Sequence, residues 1–205
     1  MFETSHRFVE WGVAARPFPG EQASGDRCAV VPREDGVLVA VIDALGHGVA
    51  AEWTARRVSR ILEQHAREPL PILIDRCHRA LMGDRGAVLS VAVIDGPRST
   101  MTWAGVGNIA GFVLPARDTD HRRQERLITP PGIVGGQLPA LKAASVTLAT
   151  GDLVLLATDG LRDGFAEGIL PDRGDPQRLA EQVILDHATE ADDALVLVVR
   201  FLGGS

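Results

Sequence analysis

An apolar run that ends on a lone carboxylate is the strongest constraint in this 205-residue chain. From Val37 to Ile42 the run is unbroken and rich in β-branched residues; it stops at Asp43, turns through Gly46 and Gly48, and then takes on a helical pattern. A strand of this kind, ending on an acid with small residues after it, sets that acid at the rim of a sheet. Burying an unpartnered carboxylate there is costly. The fold must therefore bring something to Asp43.

The preceding segment supplies a second acid. SGDRCAVV predicts a strand opening at Asp26 and running to Val31, and Pro32 to Gly36 carries turn chemistry before the strand that ends at Asp43. If that turn centres between Glu34 and Asp35, Asp26 falls opposite Asp43 in an antiparallel pair, with Cβ atoms ~5 Å apart. Further along, the pattern recurs. Leu153 to Ala157 is an apolar strand that leads to Asp159 and Gly160, with a helical stretch expected next, and Asp192 and Asp193 precede a strand from Leu195 to Phe201. Each pair has one strand arriving at an acid and the next departing from one. Asp26, Asp43, Asp159 and one of Asp192 or Asp193 should then collect at one end of the sheets.

Other segments fill in the layers. Arg7 to Ala15 is compatible with a first strand ending at the Pro17-Phe18-Pro19-Gly20 break. After Gly48, spacing places Val49, Trp53, Val58, Ile61, Leu62 and His65 near one helical face, and a second helix is expected from Ile72 to Met82. GAVLSVAVID, TMTWAGVG and IAGFVL predict an antiparallel meander, Leu127 to Ile133 a further strand, and Pro176 to Ala188 a helix. Trp53 and Trp103 are both expected in the core.

Length and composition suit one domain spanning residues 1–205, since the charged loop from Arg117 to Gly136 is flanked by apolar runs rather than by linker. A net charge of -6 with acids and bases interspersed gives no reason to expect nucleic acid or an anionic membrane surface. The basic cluster from His121 to Arg126 is read as a solvated loop face. No apolar run approaches the length of a membrane span and the N-terminus lacks a signal-peptide core, so the expected compartment is the cytosol. Cys28 and Cys77 lie in apolar patterns without metal-ligand spacing and are expected to be free core residues.

Four gathered carboxylates repel, and must either take up protons or hold cations. Hard oxygen ligands without a cysteine or histidine pair favour magnesium or manganese over zinc. Two such ions can lower the pKa of a shared water and clamp a phosphoryl oxygen, which is the chemistry of phosphate-ester hydrolysis.

The motifs in order are SGD at Ser24 to Asp26, VIDALGHG at Val41 to Gly48, TWAGVGN at Thr102 to Asn108, LLATDG at Leu155 to Gly160 and DDALVLVVR at Asp192 to Arg200. Together they resemble the metal-dependent serine/threonine phosphatases of the protein phosphatase 2C class, and within it the bacterial sporulation-E-type branch. The resemblance implies an α+β fold, an α-β-β-α sandwich of two mainly antiparallel sheets flanked by helices. It implies two Mn2+ or Mg2+ ions. Asp43 would bridge them, the Ala44 carbonyl would bind one, Asp159 and Asp192 would complete the other site, and Asp26 would hold a metal-bound water. Asp163 matches a position that in some members helps hold a third ion. The substrates it implies are phosphorylated STAS-domain proteins of a stressosome or anti-sigma pathway.

Three positions depart from the class. Ala44 stands where glycine is usual, Leu195 where threonine or serine is usual, and Leu45 where eukaryotic members carry a histidine thought to protonate the leaving oxygen. His47 is a candidate for that role, with helix capping and metal-bound water as the alternatives. The departures at Ala44 and Leu195 admit a second function, a catalytically weak or inactive phosphatase fold serving as a binding module in the same pathway. GVGNIA from Gly105 to Ala110 fits a dinucleotide pattern, but an extended run ending in Pro115 follows where a helix would be needed, so Gly105 and Gly107 are assigned to a tight hairpin turn with Asn108. Arg16 and Arg27 are possible anion contacts or plain surface charges.

Overall fold

The computed structural model describes residues 5–116, 124–167, 169 and 174–204. In chain order the elements are β1 (Ser5–His6), β2 (Val9–Arg16), β3 (Asp26–Arg33), β4 (Gly36–Ala44), α1 (Gly48–Gln64), α2 (Leu70–Leu81), β5 (Ala87–Asp95), β6 (Thr100–Val106), β7 (Ala110–Leu114), β8 (Glu125–Leu127), β9 (Ala144–Thr147), β10 (Leu153–Ala157), α3 (Pro176–His187) and β11 (Ala194–Phe201). They form a six-stranded sheet, β1-β2-β11-β10-β7-β8, and a five-stranded sheet, β3-β4-β5-β6-β9. All strand pairs are antiparallel.

Alternation along β4 explains why its sequence is apolar throughout. Val37, Val39 and Val41 pack between the two sheets against Val154, Leu156, Leu197 and Val199. Leu38, Ala40 and Ile42 point the other way, against Val58 and Leu62 of α1 and Leu73 and Ile74 of α2. The six-stranded sheet repeats the arrangement, with Leu155, Val196 and Val198 covered by Ala180 and Val183 of α3. Helices on both outer faces give the expected α-β-β-α sandwich. Each central strand is buried on both sides, and a fully buried Val or Leu side chain contributes about 1.5–3 kcal/mol.

Several expectations need correction. The inner face of α1 is set by small residues, Ala51 and Ala55 with Val58 and Leu62, while Val49 and Trp53 are 61% and 64% exposed. Alanines let the helix backbone close on the sheet, and the larger side chains rotate outward. Trp103, by contrast, is partly buried against the inter-sheet core. The expected meander stops after two strands: β5 and β6 form a hairpin, but β7 crosses to the other sheet and pairs with β10. Gly107, at φ 103°, makes that crossover rather than a hairpin turn, because glycine-asparagine chemistry serves either kind of reversal. Directly after Gly160 the described residues form turns to Glu167 instead of the expected helix, with Leu161 bridged to Ala188. The expected strand from Leu127 ends there as β8, and the edge strand β9, largely exposed, carries no apolar signal.

Cys28 and Cys77 are both free, and burial pushes the Cys77 thiol up to about 12. Residues 121–123 of the basic cluster lie outside the described residues. Among the described residues no helix is long and apolar enough to cross a membrane.

The outer helix α3 is keyed to β2 at one glycine. The Gln177 side chain accepts from Val13 N at 2.9 Å and donates to Val13 O at 3.0 Å, and a Cβ on Gly12 would stand 2.2 Å from the Gln177 backbone. Gly12→Ala is predicted to lower unfolding stability by about 1–3 kcal/mol through overpacking. Chemical denaturation would measure it, and an unchanged midpoint would contradict this close approach.

Candidate active site at the sheet rim

Strand register delivers the first two acids. Asp26 pairs with Asp43 across β3 and β4. Asp159 follows β10 after Thr158, and Asp192 precedes β11, whose pairing with β10 brings both strand ends to the same rim. Asp43, Asp159 and Asp192 together line an open cavity of about 440 Å³, which also takes in Leu45, Gly46 and Asn108.

One hydroxyl joins the two sheets at this rim. Thr158, 1% exposed, accepts from Leu195 N at 2.8 Å and donates to Asp26 Oδ2 at 2.6 Å. With one lone pair taken by the Leu195 N–H, the threonine proton is directed at the carboxylate. Thr158 thus ties Asp26 on one sheet to the backbone of Leu195 on the other. Asn108 acts on the exposed side, its Nδ2 donating to Asp159 Oδ2 at 2.7 Å.

The two consecutive acids divide their work. Asp193 is 3% exposed and accepts from Phe18 N and Gly25 N, both at 2.7 Å, so its carboxylate is spent on fixing the loop between β2 and β3. Asp192 is exposed and faces the cavity. Ala44 ends β4 with its N–H donating to Gly25 O at 3.1 Å. Ser99 is the only non-glycine at positive φ among the described residues, so Ala44 occupies its position without the strain that a required glycine conformation would bring.

The remaining candidates lie outside the cavity lining. His47 precedes α1, makes no side-chain cap bond, stacks on Phe18 at 4.6 Å between ring centroids and meets Glu21 Oε1 at 3.2 Å. Asp163 is exposed on the turn beyond Asp159. The Arg16 guanidinium donates to Thr189 O, which makes it a strut between β2 and the segment after α3, and Arg27 is exposed on β3.

Burial and mutual repulsion leave the rim electrostatically unsatisfied. Burial first, then the Asp43 charge, pushes Asp26 up to about 8, against the opposing effect of the Thr158 hydrogen bond. Asp43 is pushed up to about 7, again chiefly by burial and then by Asp159, Asp192 and Asp193. Among the described residues no basic side chain acts appreciably on either. Among the described residues no three acidic, histidine or cysteine side chains are close enough to form a finished metal cage. The oxygen donors nevertheless fit a hard divalent cation, because buried carboxylates without a basic partner are the groups such an ion neutralises. The side chains would have to move to close on it.

A carboxylate rim at one end of this sandwich defines the class of metal-dependent protein phosphatases of the 2C type. The profile of the stage II sporulation protein E (SpoIIE) family matches residues 33–202, and the chain belongs to that family. Phosphoserine phosphatase RsbX of Bacillus subtilis (strain 168) is 27% identical over 145 residues, which is 69% of either chain. A chain solved in work on the bacterial stressosome, as a modular system adapted to control secondary messenger signalling, is 30% identical with a TM-score of 0.84, covering 94% of this chain and 99% of that one. The crystal structure of RsbX in complex with magnesium gives a TM-score of 0.85 at 20% identity, over 96% of this chain and 97% of the other, a likeness of fold.

Sequence reasoning missed Thr158, Asn108 and the structural role of Asp193. All three stand inside or beside the quoted motifs, but their hydrogen bonds join segments far apart in the chain, which no local pattern encodes.

The raised pKa values predict how the metal-stripped protein responds to pH. Against an ordinary value of 3.8, the folded carboxyls hold protons that the unfolded chain has released. Stability should therefore fall as pH rises from about 4 to about 8 and then level off. Asp26→Asn keeps an acceptor for Thr158 and removes the charge; it should flatten this slope and raise the melting temperature of the stripped protein at pH 8. A steeper slope or a lower melting temperature at that pH would contradict the assignment.

Proposed function

We propose that residues 1–205 act as one phosphatase domain that hydrolyses phosphoserine and phosphothreonine esters on proteins, with Mg2+ or Mn2+ held by Asp43, Asp159 and Asp192. The observation that supports this most directly is the convergence of these three acids on one open cavity, with Asp26 opposite Asp43 behind them. Divalent ions bound there supply Lewis acidity toward a water and toward the phosphoryl oxygens. Hard carboxylate oxygens suit either ion, two being the number expected from the class.

The chain's own residues prepare that chemistry. Thr158 fixes Asp26 and Asn108 fixes Asp159, so two carboxylates keep their orientation while substrate enters. The Ala44 carbonyl is a further oxygen donor at the end of β4, and Asp163 is the candidate for a third ion. Gly46 and Gly48, at φ 82° and 74°, let the chain turn sharply between β4 and α1 and leave the mouth unobstructed. The leaving serine oxygen needs a proton. His47 can give it only by leaving Glu21 and Phe18; otherwise solvent in the open cavity does so.

The substrates proposed are phosphorylated STAS-domain proteins of a stressosome or anti-sigma pathway. Similarity to phosphoserine phosphatase RsbX and to the stressosome-associated chain supports that reading.

Hydrolysis of p-nitrophenyl phosphate should require added manganese or magnesium, stop with chelator, and be abolished by Asp43→Asn. Thr158→Val should cost about 10–100-fold in metal affinity or activity, as loss of a hydrogen bond behind a ligand set does. Chelator-insensitive turnover, or full activity in Asp43→Asn, would overturn the reading; metal binding without turnover on any phosphoester would make the chain a binding module.

A further inference from the structure

A second and larger cavity, about 800 Å³, opens between α1 and the C-terminal end of α2. Trp53 stands in it, 64% exposed, amid Arg56, Arg57, Arg60 and Arg85, with Asp84 as the one acid in the lining. In a chain of net charge -6 this is a local reversal of sign. Exposed tryptophan surrounded by arginine is the composition that dominates binding energy at protein interfaces.

The arginines are available to a partner. Arg56 meets Glu52 at 2.7 Å and Arg57 meets Asp84 at 3.4 Å, both in exposed pairs of the kind that contribute little to stability. Arg60 makes no ion pair or hydrogen bond among the described residues. The groove adjoins the acidic site: Arg85, in its lining, donates to Leu45 O at 3.1 Å, and Leu45 and Gly46 line the rim cavity. From Gly48 to Trp53 the helix rises about 7.5 Å. An extended peptide covers that distance in a few residues.

We propose that this face docks an acidic segment of the phosphoprotein substrate, which presents carboxylates to the arginines and an apolar side chain to Trp53 while its phosphoserine lies at the rim. This rests on the phosphatase reading above and adds the chemistry that selects the substrate. Charge complementarity identifies the occupant: four arginines against the single acid Asp84, in a chain that is acidic overall, suit a partner segment rich in carboxylates.

Two synthetic phosphoserine peptides of equal length test it, one with a leucine and a glutamate block beginning about two to three residues from the phosphoserine, the other with glutamines replacing the glutamates. With manganese, the protein should favour the acidic peptide by about tenfold in kcat/KM, mainly through KM, with the preference shrinking as salt rises. Arg57→Glu combined with Arg60→Glu should remove the preference, and Trp53→Ala should weaken both peptides. All these side chains are exposed, so hydrolysis of p-nitrophenyl phosphate should stay within about twofold in either variant. Equal use of the two peptides by the unaltered protein, or a preference that survives the charge reversals, would overturn the proposal. A concentration-dependent dimer dispersed by Trp53→Ala, without peptide preference, would do so by giving the face to a second copy of the chain. Failure of the unaltered protein to hydrolyse p-nitrophenyl phosphate would remove the phosphatase reading, and this inference with it.

Discussion

Repulsion between Asp26 and Asp43 is the constraint around which the molecule is built. The antiparallel register of β3 and β4 forces the two carboxyls opposite one another, and burial of Asp26 with partial burial of Asp43 limits the solvent that would screen their charges. A chain selected for stability alone would place a hydrogen-bonded neutral pair there. Retaining two acids, and bringing Asp159 and Asp192 to the same cavity, costs stability, as expected of a site kept for the cation binding proposed above.

Holding that arrangement requires both sheets to be rigid where they meet. Strands β4, β10 and β11 are buried on both faces, and each layer of the sandwich adds apolar contacts that offset the charge conflict at the rim. Thr158 and Asp193 then lock the edges, one linking β10, β11 and Asp26, the other pinning Phe18 and Gly25. Neither residue needs to touch a substrate. Their effect is to limit how far the carboxylates can spread.

What could be read from the sequence was what local pattern controls. A short turn between two apolar strands sets the Asp26–Asp43 register, and strand-acid-glycine order marks the rim twice. On α1 the spacing points correctly to Val58 and Leu62, but side-chain size points wrongly to Val49 and Trp53, where Ala51 and Ala55 form the inner face; close helix-sheet approach favours the small residues. The β6–β7 crossover and the turns after Gly160 escaped for a related reason, since glycine marks a reversal without saying which sheet the chain enters next. Asn108, Thr158 and Asp193 acquire their roles only once segments distant in sequence are brought together.

The central claim is spatial: Asp43 and the acids beyond the two C-terminal strands share a divalent cation. Anomalous diffraction from crystals soaked in manganese measures this directly. The account predicts at least one manganese peak in contact with Asp43 and with either Asp159 or Asp192. Saturating manganese that leaves no peak within coordination distance of Asp43, while the fold is intact, would contradict it.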